Sequence, residues 1–110
     1  MIEHAVIDKL LSVDFPGSEQ LRAQLLHTAV VGVCDCGCAT VSLRVDTSAT
    51  VAAPVISSAP VSADISVGDQ YAGVVLLVDN GYLSYLEVYS IGEPVRALPP
   101  LEEIHPSPAR

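Results

Sequence analysis

"GVVLLVDNGYLSYLEVYS", residues 73–90, is the stretch on which the fold turns. Asn80 and Gly81 tolerate the positive φ of a type I′ turn. The residues on either side fit pleated strands, with valine and leucine before the turn and tyrosine, leucine and valine after it. A helix over 82–90 would leave the β-branched run before it without a partner, so the stretch is predicted as an antiparallel hairpin. Closing the turn at Asn80-Gly81 pairs Val78 with Leu83, Leu76 with Tyr85 and Val74 with Glu87 on one face. The other face then carries Leu77 with Ser84 and Val75 with Leu86. Both faces come out largely apolar, which calls for cover on both sides. In this register Glu87 sits among Val74, Tyr85 and Tyr89, where a carboxylate needs a cation such as Arg44 or Arg96.

Outward from the hairpin, "TAVVGVC" (Thr28–Cys34) and "ATVSLRVD" (Ala39–Asp46) read as two more strands around a Gly-containing tip. The second alternates, with Val41, Leu43 and Val45 on one side and Ser42 and Arg44 on the other. The segment from Thr47 to Asp69 has no Lys or Arg and contains Pro54 and Pro60, so it is predicted as edge strands or ordered loops. At the start, Ile2, Ala5, Val6, Leu10 and Val13 recur at helical spacing, in a helix expected to end near Ser12. "DFPG" (Asp14–Gly17) breaks it, and Ser18 is the expected cap of a second helix striped by Leu21 and Leu25 and stopping near His27. Beyond Gly92, five prolines argue against a regular element of any length, and the last few residues are expected to fray. The prediction is a single α+β domain over residues 1–110: two N-terminal helices followed by an antiparallel sheet of four to five strands, with a C-terminal Asn-Gly hairpin.

A chain of 110 residues, half of them hydrophobic, can bury a core of its own. Thirteen acidic residues against five basic ones give a net charge of −8, which repels phosphate backbones and sets nucleic acid aside as a partner. Early Glu3 and Asp8, with no long apolar run after them, support neither a signal peptide nor a membrane span, so the expected location is the cytoplasm. Three cysteines cannot pair off completely, and a reducing compartment keeps them as thiols.

The ordered segments DFPG, CDCGCATVSL (Cys34–Leu43) and DNGYLSYLEVYS (Asp79–Ser90) resemble those of a family of small uncharacterised bacterial proteins. The resemblance covers most of the chain and implies no activity, cofactor or catalytic residue.

Two groups of residues carry chemistry. Cys34, Cys36 and Cys38 would supply thiolates to zinc or copper(I), with His27 the expected fourth ligand; Asp35 and His105 are the other donors weighed. Paired CxxC or CxxH spacings are missing, and CxCxC converges on one point only if the backbone turns at Gly37. Small buried thiols at a turn are therefore the preferred account, and no other cofactor is implied. Redox chemistry lacks the CxxC spacing, and Asp35 would disfavour a thiolate. His4, His27 and His105 are the available bases, with His4 and His105 expected in solvent and His27 at a helix end. No GxSxG, HExxH, P-loop or GxGxxG accompanies them, so no enzyme is expected.

The second group is Tyr82, Tyr85 and Tyr89, amphipathic aromatics suited to an interface in a chain with no Trp and one Phe. The expected function is protein–protein contact, the partner being either another protein or a second copy of the chain. Two other readings are a zinc or copper(I) module at the cysteines and an acidic immunity-type inhibitor of a basic toxin.

Overall fold

The computed structural model describes residues 2–33, 38–55, 57–67 and 70–108. Helices α1 (Ile2–Leu10) and α2 (Ser18–Leu25) precede strands β1 (Thr28–Val33), β2 (Val41–Val45), β3 (Val61–Val67), β4 (Gln70–Asp79) and β5 (Tyr82–Ser90). A 3-10 turn at Leu101–Glu103 leads into β6 (His105–Pro108). The strands form one sheet of order β1-β2-β5-β4-β3-β6, antiparallel at every neighbouring pair. The α+β class and the two leading helices agree with the sequence. The sheet has six strands rather than four to five, and the Asn-Gly hairpin is followed by β6 rather than ending the chain.

The proline-rich tail supplies that extra strand. Proline is tolerated at a sheet edge because alternate residues there direct their nitrogen to solvent. In β6 Pro106 and Pro108 alternate with His105 and Ser107 along β3. The tail thus covers β3, which the sequence marked as an edge and which in fact lies between β4 and β6. Prolines at 54 and 60 precede β3 instead of interrupting it.

One face of the sheet carries the core. Val41, Leu43 and Val45 of β2, Val61, Ala63 and Ile65 of β3, and Ala72, Val74, Leu76 and Val78 of β4 are all buried, as are Leu83, Leu86 and Val88 of β5. They form one cluster with Val6, Ile7 and Leu10 of α1, with Leu11 just after it, and with Leu21 of α2. Leu76 and Leu86 face each other directly and are fully buried, each contributing about 1.5–3 kcal/mol. No helix among the described residues is long and apolar enough to cross a membrane.

Helix α2 starts differently from expectation. Gly17, at φ 95°, is its N-cap residue, and Ser18 is already helical. The Ser18 hydroxyl instead accepts the Phe15 N–H at 3.5 Å, closing the DFPG turn. Arg22 Nε donates to the Leu11 carbonyl at 2.9 Å and holds α2 to the end of α1. In the same helix, fully buried Gln24 reaches the Asn-Gly turn. Its Nε2 donates to the carbonyls of Val51 and Gly81 at 2.9 and 2.8 Å, and its Oε1 accepts the Leu83 N–H at 3.0 Å. Gly81 needs to be glycine twice over: its φ is 86°, and a Cβ there would stand 2.8 Å from that of Ala52.

Candidate functional site

The site is built by one irregularity in the hairpin. Asn80 and Gly81 both have positive φ, as the predicted turn requires, and Val78 pairs with Leu83 as expected. The register then slips by one residue. Leu77 faces Tyr85, Leu76 faces Leu86, Val75 faces Glu87 and Val74 faces Val88. Ser84 is the extra residue of a β-bulge, which reverses the facing of everything after it. The predicted pairs Leu76–Tyr85, Val74–Glu87, Leu77–Ser84 and Val75–Leu86 are therefore corrected. Strand hydrogen bonding is made good from outside the ladder, since the Leu83 N–H goes to Gln24 and the Val78 N–H to the Ser58 carbonyl at 2.8 Å.

The bulge sorts β5 into a buried side of Leu83, Leu86 and Val88 and an exposed side of Tyr85, Glu87 and Tyr89. The expectation of two largely apolar faces fails for the same reason, because the polar and aromatic residues collect on one of them. Glu87 needs no buried partner. Neither Arg44 nor Arg96 pairs with it; the ion pair formed among the described residues joins Arg22 to Asp14 at 3.9 Å.

Register places the outer-face residues in rows. His105, Asp64, Gly73 and Tyr89 form one row, and Ser107, Ser62, Val75 and Glu87 the next. Leu77, Tyr85 and Ser42 form a third. Tyr71 stands beside the first row, its hydroxyl donating to Asp64 Oδ1 at 2.6 Å. That bond, with help from neighbouring Tyr89, pushes the Tyr71 pKa up to about 12, since ionisation would set a phenolate against a carboxylate. Gly73 lies under Tyr89. A Cβ at residue 73 would fall within 2.3 Å of the Tyr89 ring and hydroxyl, so the ring rests across the glycine backbone. Beside Tyr85, a shallow hollow is lined by Thr40, Leu77, Tyr85, Glu87 and Val88. Thr40 closes its floor, with Oγ1 accepting the Val88 N–H at 2.8 Å.

No family model, curated protein or solved structure matches this chain. Its chemistry is read from its own residues.

Of the predicted interface tyrosines, Tyr85 and Tyr89 share the outer face, whereas Tyr82 is half-buried against the core beside the turn. Tyr71, the member that sequence reading missed, comes from the opposite strand of the hairpin. Its signal was its position two residues before Gly73, where a glycine within a strand marks a place of close approach.

Of the predicted metal ligands, Cys34 and Cys36 lie outside the described residues, as does Asp35. Cys38 is half-buried near Val33, Thr40, Arg96 and Leu98. His27 is exposed at the other end of the β1–β2 ladder, before the Thr28–Val45 pair, while Cys38 leads into the Val33–Val41 end. These ends are roughly 17 Å apart at the usual rise of a strand, so His27 and Cys38 are not brought together. Among the described residues no three His, Cys, Asp or Glu side chains converge as metal ligands would. His4, expected in solvent, instead donates from Nε2 to the Thr28 carbonyl at 2.7 Å and ties α1 to β1. His105 is exposed on β6.

Proposed function

We propose that this chain is a small non-enzymatic cytoplasmic domain that acts through protein–protein contact, using the outer face of its sheet. The observation that carries the reading is the trio Tyr71, Tyr85 and Tyr89, which are 50, 46 and 37 % exposed on the sheet face opposite the core. Tyrosine suits such a role because it gives up a large ring area to a partner while its hydroxyl stays hydrogen-bonded, at small cost in side-chain entropy. Half-exposed Val75 and Leu77 lie between the rings, and Ser42, Ser62 and Arg44 supply a polar surround. That is the composition of a contact patch, apolar and aromatic at the centre with charge at its margin. The net charge of −8 disfavours nucleic acid and anionic membrane surfaces as the other party.

A photo-crosslinking residue placed at Tyr85 in the native cell, with the same residue at Glu19 of α2 as the comparison, tests the proposal. Adducts with protein, including a second copy of the chain, are expected at 85 and not at 19. Equal labelling at both positions, or none at 85, would show that the outer face is ordinary solvent-exposed surface. Sedimentation of wild type and Tyr85→Asp at micromolar concentration separates the self-associating form of the proposal from contact with a different protein.

A further inference from the structure

The row that contains Tyr89 has a chemistry narrower than general stickiness. The tip of the Tyr89 ring lies over the Gly73 backbone, and the side chain is still 37 % exposed on its outer side. Tyr71 stands beside it, its hydroxyl fixed on Asp64 Oδ1. Carboxylates lie on both sides of this platform. Glu87 is the same-face neighbour of Tyr89 along β5, roughly 7 Å away. Asp64 is across Gly73 on β3, at roughly 10 Å, or two strand spacings. Glu87 is exposed and has no hydrogen bond or ion pair among the described residues, and Asp64 retains a second carboxylate oxygen beyond the one that Tyr71 occupies. On this face Arg44 lies on β2 beyond Ser42, on the far side of Tyr85 from Glu87, and the exposed imidazole-bearing His105 of β6 is the cross-strand neighbour of Asp64.

An exposed aromatic face flanked by two carboxylates is complementary to a planar cation. A guanidinium stacks on a tyrosine ring while its N–H groups reach carboxylates at the ring's edge, and it is less tightly hydrated than an ammonium. The chain's net charge of −8 draws such a cation toward the surface. Resting on the protein-contact reading above, we infer that the Tyr89 platform seats an arginine side chain of a basic partner protein, with Glu87 and Asp64 receiving its guanidinium. Gly73 is what keeps the platform flat. A side chain there would lift the ring and tilt its face away from the cation.

The test uses an oligoarginine peptide at physiological salt, followed by amide NMR shifts, beside a neutral leucine-rich peptide of equal length. Shifts are expected on Gly73, Glu87, Tyr89 and Asp64. Tyr89→Leu and Glu87→Gln are each expected to weaken oligoarginine binding by about two- to fivefold, the range of an exposed cation–π contact or ion pair. Glu19→Gln, which removes the same charge on α2, is expected to change binding by less than about 1.5-fold, as remote exposed charges are screened. These three residues, Tyr89, Glu87 and Glu19, are exposed, and the wild-type amide pattern elsewhere verifies that each variant is folded. Gly73→Val provides a second disruption of the platform that leaves every charge in place, and the same weakening is expected. Shifts spread over all acidic residues, or an equal effect of Glu19→Gln, would reduce the binding to net charge and overturn the inference. Outer-face shifts with the neutral peptide and none with oligoarginine would overturn the arginine assignment while leaving the contact face standing.

Discussion

Replacing Gln24 with methionine tests how the hairpin turn is held. Methionine nearly matches glutamine in length and volume, so the change isolates hydrogen bonding from cavity formation. The wild-type side chain is fully buried and satisfies two carbonyls and one N–H: those of Val51, Gly81 and Leu83. Each bond is worth about 0.5–1.5 kcal/mol net, and the groups left behind are cut off from water, so a loss of about 2–4 kcal/mol is expected. Against the usual total of about 5–15 kcal/mol this is a large fraction of stability, and at about 4–8 °C per kcal/mol for a chain of this size the melting temperature should fall by about 8 °C or more. Urea titration followed by circular dichroism measures the free energy, and amide exchange at Leu83 reports the local effect. A loss under about 1 kcal/mol, with Leu83 still protected, would refute the reasoning, because it would mean that the backbone groups find other partners at no cost.

Four other outcomes are expected. Deleting Ser84 should leave a folded protein within about 1 kcal/mol of wild type, since the deletion turns Leu83-Tyr85-Leu86 into a regular in-out-in strand with the pairs Leu77–Tyr85 and Leu76–Leu86 unchanged; cross-strand NOEs check this, and unfolding would contradict it. Tyr71 should titrate near the value of about 12 that its bond to Asp64 imposes, and Asp64→Asn should bring it back toward the ordinary value of about 10, as read by tyrosinate absorbance of the two proteins. Because the raised value favours the protonated folded state, the stability tied to it is complete below about pH 10 and lost as pH climbs toward 12, which alkaline melts of wild type and Asp64→Asn would reveal as a difference in slope. His27→Ala should change neither the zinc or copper content of protein purified without a metal-affinity tag nor its melt with and without chelator; a drop in metal would show that His27 reaches the cysteine segment despite its place at the other end of the ladder.

Local signals in the chain were enough for the coarse fold. The helical stripe before Ser12, the DFPG break, the alternation of Val41, Leu43 and Val45 and the Asn-Gly turn each depend on neighbouring residues alone, and each has its expected counterpart in the structure. What was hidden depends on residues far away in sequence. β6 exists because β3 offers an open edge, and no window around His105 contains β3. Gln24 looks like an exposed helix residue until the turn at Gly81, 57 residues on, is folded against it. Tyr71 joins the tyrosine face only through a pairing with the far strand of its own hairpin. The cysteine segment offered chemistry without a second group fixed in space, and its most informative partner, His27, is placed by the length of β1 rather than by its nearness in sequence.

The bulge shows how a partial reading becomes a wrong one. Counting from the turn makes Leu83 and then Tyr85, Glu87 and Tyr89 share a face. Sorting by polarity gives a different partition, with Leu83, Leu86 and Val88 together and Glu87 outside. Leu83 and Leu86 are an odd number of residues apart, so no regular strand can bury both, and the two rules are in conflict within a few residues of each other. The conflict is settled by magnitude. Keeping regular alternation would bury a carboxylate and expose Leu86 and Val88, at several kcal/mol, whereas one extra residue in the ladder costs a hydrogen bond or two that Gln24 and Ser58 replace. The bulge is therefore the cheaper state, and its site is confined to Ser84 or Tyr85, the residues between the two buried leucines. Ser84, small and polar, is the one whose displacement loses no packing. The same slip that protects the core sets Tyr85, Glu87 and Tyr89 on the open face, so the proposed contact surface and the hydrogen-bonded latch at Gln24 are two consequences of one misfit between turn and pattern.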